Sequence, residues 1–495
     1  MKWLGKRPVL DGASGELERW QMLIDGEWQD ASTGETFETF DPGRAAAIAR
    51  VADGNSADVD RAVAAARRAF DDGRWSRLPA ARRAEVLWTV ADLLDEHAEA
   101  LGRLEALNQG MPLRSAIADS LPSVARCFRY YAGWADKIQG TSSDLDKGGR
   151  DIHAYSLKEP VGVTALIIPW NAPLSMAAWK LAPALAAGCA CVLKPAEETP
   201  LTALCLGEIM LNAGVPPGVV NVVTGRGETA GAPLAAHDDV DKVAFTGSTE
   251  IGKRIISAAI GNLKKVSLEL GGKSPVIVCA DADLERAIPG AAWAIFSNAG
   301  QVCTAGSRLF VHHSIAGDLI DGLEEIARDI QVGYSMEPDS EMGPLVSAKQ
   351  HAAVTGYVNS AREEGAEVRD AGSLPDQGYF VRPTLLVGAQ PDMRAVREEI
   401  FGPVTAIMTF DETDDALRRA NATPYGLAAS VWTESMSTAH RLSRGLRAGR
   451  VGINVHGYPD VTMPTGGYKQ SGWGRELGRE GLDNFLETKS LFMGA

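Results

Sequence analysis

Residues 161–173 read VGVTALIIPWNAP, an apolar run of eight that stops at a turn bounded by two prolines. Apolar residues occupy both odd and even positions of the run. A strand built from it would bury both faces, as a parallel strand does when helices cover it on each side. Runs of the same kind follow: CVL (191–193), VVNVV (219–223), KVAF (242–245), VSLEL (266–270) and PVIVC (275–279). The interposed lengths suit crossover helices, and the whole predicts an α/β fold with a doubly wound parallel sheet. Such sheets hold ligands at the carboxyl ends of their strands, which is where PWNAP begins.

Outward from this region, a second α/β set is expected after about residue 271. It comprises AIFSNAGQVCTAGSRLFVHH (294–313), a helix around 315–330, and β-like segments near 379–388, 403–410 and 428–432. Upstream, regular structure is expected to start at Ser56, read as the N-cap of SADVDRAVAAARRAF (56–70). A longer helix follows, with Leu87, Val90, Leu94, Ala98 and Leu101 at spacings of three and four. Residues 138–160 and the run FLETKSLFM (485–493) have no core of their own. Projecting β segments of that sort are usually buried by self-association, so a homodimer or homotetramer is expected.

The formal charge of -15 disfavours nucleic acid and anionic membrane as partners, since both would repel the chain. No apolar run is long enough to span a bilayer, and MKWLGKRPVLDG (1–12) lacks the apolar core of a secretory signal, so a cytoplasmic location is expected. Cys127, Cys189, Cys191, Cys205, Cys279 and Cys303 form no CxxC pairs, which argues for free thiols. The eight histidines show no zinc-type spacing; His312 and His313 read as surface or strand-end residues, and no metal is expected.

Four stretches carry chemistry. FTGSTEIG (245–252) links a strand to a helix and would offer free backbone N–H groups at Gly247 and Ser248 to an anion, although it misses the GxGxxG spacing. LKPAEETP (193–200) places Lys194 and Glu197 at a strand's carboxyl end, where donor and acceptor could share ribose hydroxyls. VSLELGGKSP (266–275) sets Glu269 among apolar residues, an environment that raises a carboxyl pKa toward the range of a general base. GQVCTAGSR (300–308) holds Cys303 among small and polar residues rather than in an apolar strand, which suits an exposed, reactive sulfur; the other five cysteines read as core.

In order along the chain, PWNAP, KPAEETP, FTGSTEIG, LELGGKSP, GQVCTAGSR, EEIFGPV (398–404) and GGYKQSGWGRELG (466–478) closely resemble the aldehyde dehydrogenase superfamily, of the hydrolytic, NAD(P)-dependent, non-acylating type. The resemblance runs from about residue 22 to the C-terminus. It implies Cys303 as nucleophile, Glu269 as general base, Asn171 as oxyanion donor, and Lys180 with Glu476 as a proton-relay pair. It implies NAD as cofactor, with NADP as the alternative, held by Ile167, Pro169, Trp170, Lys194, Glu197, Gly227, Gly231, Phe245, Gly247, Ser248, Ile251, Leu270, Glu399 and Phe401. The carboxylate of Glu197 would repel a 2′-phosphate and so favours NAD. The implied division is a NAD-binding domain (1–137 and 159–270), a catalytic domain (271–482) and a small β oligomerisation arm (138–158 and 483–495).

The expected reaction is oxidation of a small-molecule aldehyde to the acid through a thiohemiacetal and a thioester on Cys303. Two other readings are weighed. Acyl transfer to coenzyme A would need no general-base glutamate, so Glu269 speaks for hydrolysis. A catalytically silent protein of the same fold would not be expected to keep Cys303, Glu269 and Asn171 together. By position Met176, Trp179, Val302, Thr304, Tyr458 and Thr465 approach the aldehyde, with Ala172, Ser175 and Ser297 nearby. Thr465 stands where many small-aldehyde members carry an aromatic residue, and no Arg or Lys in these segments reads as a clamp for a substrate carboxylate.

Overall fold

The run quoted first forms a strand over Val163–Ile167, every residue of it buried. Its residues divide between two cores. Val163, Ala165 and Ile167 pack in one, and Leu166 in another, as do alternate residues of the neighbouring strand Ala190–Lys194: Ala190 and Val192 on one face, Cys191 and Leu193 on the other. A strand with two apolar faces thus becomes the middle of a sheet covered on both sides. The computed structural model describes residues 17–149, 151–370, 372–457 and 459–494.

The sheet has eight strands in the order Gly472–Trp473, Lys265–Glu269, Lys242–Thr246, Val163–Ile167, Ala190–Lys194, Val220–Val222, Met22–Ile24 and Glu27–Gln29. The five central strands are mutually parallel, and antiparallel strands close both edges. A second sheet of seven strands runs Glu367–Asp370, Thr384–Val387, Val404–Phe410, Arg308–His312, Pro275–Val278, Ala428–Trp432 and Arg450–Ile453, parallel except at its first pair. PVIVC therefore belongs to the second sheet and lies deep inside it, although its apolar character matches the runs before it. Ser142–Asp146, Asp151–Pro160 and Leu486–Gly494 form a separate antiparallel sheet. Leu145, Leu157, Phe492 and Met493 are exposed on it.

Three upstream expectations need correction. Regular structure begins well before Ser56, with five short strands between Arg19 and Ala52. Two of them form a hairpin on Asp25 and Gly26, both at positive φ (55° and 81°), the Asp-Gly signature of a tight turn. In Thr36–Asp41 the inward positions are Phe37, Thr39 and Asp41, so hydrophobic alternation misses a strand whose buried face is largely polar. Asn55, not Ser56, caps the first helix, in a capping box with Asp58. The long helical stripe spans two helices, Ala80–Glu96 and Ala98–Gln109, separated at His97 (φ -104°, ψ 15°). Leu87, Val90, Leu94 and Leu101 still bury in one core, so the spacing reported burial correctly and continuity wrongly.

Candidate active site

Cys303 sits in the loop between the helix Leu284–Phe296 and the strand Arg308–His312. Asn298, Ala299 and Gly300 precede it with φ of 48°, 53° and 69°, a left-handed run that reverses the chain. A side chain on Gly300 would overlap the Gly402 carbonyl, so this glycine lets EEIFGPV pack on the cysteine loop. Gln301 fastens the loop: its side chain donates to the carbonyls of Asn298 (3.2 Å) and Pro344 (3.4 Å) and accepts from the N–H of Val346 (2.9 Å). Buried His456 holds the far side, with Nε2 2.8 Å from the Thr304 carbonyl and Nδ1 2.8 Å from Ser430 Oγ. Burial pushes its pKa down to about 4, which makes it a neutral strut.

The LELGGK segment lies directly against this loop. A Cβ on Gly272 would overlap the Cys303 carbonyl, and one on Gly271 would overlap the Glu399 carboxylate. Glu399 accepts the N–H of Gly272 (3.0 Å), and burial pushes its pKa up to about 7. Gln350 holds the EEIFGPV turn through the carbonyls of Ile400 (3.2 Å) and Phe401 (2.8 Å). Phe401, at φ 57°, meets Trp170 edge to face with ring centroids 5.1 Å apart.

Glu269 ends the strand Lys265–Glu269. Burial, then the negative charge of Glu476, holds its carboxyl well above the usual carboxylate range, while Lys180, Arg475 and Arg450 pull it back. Lys180 and Glu476 are both buried and ion-paired, and the ammonium also donates to Thr246 Oγ1 (2.6 Å). The second oxygen of Glu476 is buried without a hydrogen-bond partner among the described residues.

Asn171 lies in the turn before the helix Pro173–Ala187. One amide N–H is engaged by the Gln301 carbonyl (2.8 Å), and the Asn171 carbonyl accepts from Asn298 Nδ2 (3.0 Å). An amide has a second N–H to offer. The Cys303 N–H has no acceptor among the described residues. Along the helix, Ser175, Met176 and Trp179 are half-buried while the residues around them are largely buried, so one face stays open. Val302 and Ser297 are half-buried and Ala172 likewise; Thr304 and Thr465 are buried, and Tyr458 lies outside the described residues. Trp293, half exposed, joins this rim: a Cβ on Gly457 would lie 3.5 Å from its ring and 3.7 Å from Thr304 Oγ1. It was hidden inside an ordinary helical pattern.

At the carboxyl end of the strand Ala190–Lys194, buried Lys194 donates to Glu197 (3.3 Å). Burial alone would raise the Glu197 pKa, yet the Lys194 charge and N–H groups that include Gly227 hold it below the usual range. Gly231 borders the Lys194 stem, where a Cβ would lie 3.9 Å away, and nothing lies within 4 Å of a Cβ on Gly227. Ile167 ends the central strand, with Pro169 and Trp170 in the turn beyond it. Phe245, Gly247, Ser248, Ile251 and Leu270 gather at the next strand ends. A Cβ on Gly247 would lie 2.5 Å from the Phe245 ring, and one on Gly252 would lie 2.7 Å from Leu270.

Two expectations change here. The Gly247 N–H donates to the Glu269 carbonyl (3.0 Å) and is not free for an anion, because parallel pairing of the two strands extends one residue past Thr246. Ser248 caps the helix Thr249–Ala258 with its side chain, which accepts from Ile251 N–H (3.3 Å), and its own N–H has no acceptor among the described residues. Cys303 is half-buried rather than exposed, and burial pushes its thiol up to about 12, with Glu399, Glu269 and Glu476 opposing ionisation and Arg450 favouring it. Arg450 carried no signal in the sequence, where it is one charged residue in LRAGRVG (446–452). The remaining five cysteines are buried. Among the described residues no group of three or more His, Cys, Asp or Glu is placed to hold a metal, and no helix is long and apolar enough to cross a membrane.

Residues 28–491 match the model of the aldehyde dehydrogenase family. A mitochondrial aldehyde dehydrogenase of Arabidopsis thaliana, family 2 member B4, is 47% identical over 97% of this chain and 89% of its own. The phenylacetaldehyde dehydrogenase of Pseudomonas fluorescens is 46% identical, with 95% of each chain covered. The structure of the NAD+ complex of a Bacillus cereus aldehyde dehydrogenase superposes with a TM-score of 0.95 at 46% identity, covering 99% of both chains.

Proposed function

The chain belongs to the aldehyde dehydrogenase family, and from that premise we propose that it oxidises an aldehyde to its carboxylic acid with NAD through a thioester on Cys303. The observation that carries this reading is the packing of Gly272 on the Cys303 carbonyl, which brings the Glu269 segment against the nucleophile loop while Asn171 is tied to the same loop. Lys194 and Glu197, a donor and an acceptor side by side, fit the hydroxyls of a ribose. When bound, NAD supplies the acceptor for the hydride that the substrate carbon loses.

The thiolate of Cys303 attacks the aldehyde carbon. The resulting oxyanion takes hydrogen bonds from the Cys303 N–H and the second N–H of Asn171. Loss of hydride leaves the thioester. Glu269 then removes a proton from water as the water attacks the thioester carbon, the carbon–sulfur bond breaks to release the acid and return the Cys303 thiolate, and Lys180 with Glu476 passes the proton onward. Glu399 and Phe401 position the nicotinamide end of the cofactor, and Met176, Trp179, Val302, Thr304 and Thr465 line the aldehyde's approach. The domain division stated above and self-association through the arm belong to the same proposal; Leu145, Leu157, Phe492 and Met493 are the apolar residues a second copy would cover.

NADH formation with a panel of aldehydes, with and without coenzyme A, tests the reading. Oxidation independent of coenzyme A is expected, and acyl-coenzyme A as the product would overturn hydrolysis. Glu197→Ser removes the carboxylate that faces a 2′-phosphate and frees Lys194 to pair with it. The ratio of kcat/KM for NADP over NAD is expected to rise by about tenfold, the scale of one charge contact of about 1.4 kcal/mol. An unchanged ratio would remove Glu197 from cofactor selection.

A further inference from the structure

The helix Ala98–Gln109 precedes every one of the ordered motifs in sequence, yet its last turn reaches the active site. Glu105 and Gln109 lie one turn apart on it, and both are fully buried. Glu105 Oε1 accepts the N–H of Leu174 (3.2 Å) at the start of the helix Pro173–Ala187, and its other oxygen accepts from Thr202 Oγ1 (2.6 Å). Gln109 extends to the nucleophile loop. Its Nε2 donates to Asn298 Oδ1 (3.2 Å) while its Oε1 accepts the N–H of Met111 (2.7 Å). Asn298 in turn donates through Nδ2 to the carbonyls of Asn171 (3.0 Å) and Gln301 (3.4 Å).

A side-chain amide can face either way, and its partners decide which. Both ends of this chain of contacts are backbone groups with a single role. The Met111 N–H can only donate, so Gln109 turns its oxygen toward it and its NH2 toward Asn298. The Asn171 and Gln301 carbonyls can only accept, so Asn298 turns its NH2 toward them and its oxygen toward Gln109. The two amides therefore fit in one relative orientation. The Gln301 carbonyl also accepts from Asn171 Nδ2 (2.8 Å), so Asn298 and Asn171 share an acceptor in the segment that leads into Cys303.

We propose that Gln109 is a positioning residue of the oxyanion site, which fixes the facing of the Asn298 amide and through it holds the Asn171 segment in register with the Cys303 loop. The proposal rests on Asn171 as the oxyanion donor and adds what keeps its second N–H directed at the carbonyl oxygen under attack. The tolerance there is small, since a misplacement of about 1 Å can cost about 10²-fold in rate.

Gln109→Glu keeps the shape and an oxygen for Met111 but presents a second oxygen to Asn298. The Asn298 amide must then turn round to donate to it, which sets its own oxygen against the Asn171 and Gln301 carbonyls. Gln109→Met keeps the volume and removes both polar atoms. These variants are compared with wild type and with Asn171→Ala, alone and combined with Gln109→Met, by the rate of the NADH burst after rapid mixing. Gln109→Glu is expected to slow the burst by about 10²-fold, Gln109→Met by about tenfold and Asn171→Ala by about 10²-fold. Alkylation of Cys303 by iodoacetamide, in which sulfur displaces iodide at a saturated carbon, the thiol proton is released and no oxyanion forms, is expected to keep its rate within about twofold in all of them. In the Asn171→Ala background Gln109→Met is expected to slow the burst no further. Thermal unfolding and NAD affinity check folding, and if Gln109→Glu does not fold, Gln109→Met and its combination with Asn171→Ala carry the same comparison. A burst at the wild-type rate in the Gln109 variants, alkylation slowed as much as the burst, or effects that multiply in the double variant would each overturn the proposal. An unchanged burst in Asn171→Ala would instead sink the oxyanion assignment on which the proposal stands.

Discussion

Cys303→Ala is expected to lower aldehyde turnover by about 10⁴-fold or more, the scale of removing a nucleophile from a site whose remaining parts act with it as a unit. The loop should survive the change. Its shape comes from the left-handed run Asn298–Gly300, the side chain of Gln301 and the strut of His456, none of which uses the sulfur. NAD affinity, read by titration of tryptophan fluorescence, is therefore expected to stay within about twofold of wild type, since Lys194 and Glu197 belong to a different segment, at the carboxyl end of the strand Ala190–Lys194. Wild-type oxidation rates in the variant would show that another group attacks the aldehyde.

Glu269→Gln separates the two halves of the reaction. Gln keeps the volume and one acceptor oxygen, so the first turnover should still give a burst of NADH near one equivalent per site, followed by a steady state slower by about 10²–10⁴-fold. A missing burst would assign Glu269 a role before hydrolysis. The pH dependence has a definite sign. Burial and Glu476 hold the Glu269 carboxyl well above the usual range, so its basic, ionised form appears only as pH rises through that raised value. Where hydrolysis limits turnover, the rate in wild type should climb with pH and level off once the carboxyl is ionised. In the Gln variant that limb should disappear.

The behaviour of individual residues shows what was legible before folding. Val163–Ile167 and Ala190–Lys194 could be read because burial on both faces demands apolar residues at every position, a constraint local enough to appear in the residues themselves. Thr36–Asp41 could not, since its inward Thr39 and Asp41 are satisfied by the Glu198 carbonyl (2.8 Å), the Gly43 N–H (2.8 Å) and Tyr334 (2.9 Å), partners that include residues far along the chain. The break at His97 was invisible for a related reason: a stripe reports which face is buried and says nothing of where the axis bends.

The chemical residues divide in the same way. Cys303, Glu269, Asn171, Lys194 and Glu197 stand in short ordered motifs, and their types and order alone were enough to indicate an aldehyde dehydrogenase. Gln301, Gln350, His456 and Trp293 look ordinary in sequence because their work is to meet backbone or rim atoms supplied by other segments. Arg450 is the sharpest case. Composition marks it as one of many surface charges, whereas the fold buries its Nε without a hydrogen-bond partner among the described residues. The sequence by itself thus indicated the architecture, through local pattern, and the family, through ordered motifs that resemble it, and it named the candidates for the reacting groups. The ionisation state of those groups was decided by the tertiary structure alone, because a pKa depends on burial and on charges that only packing brings within reach.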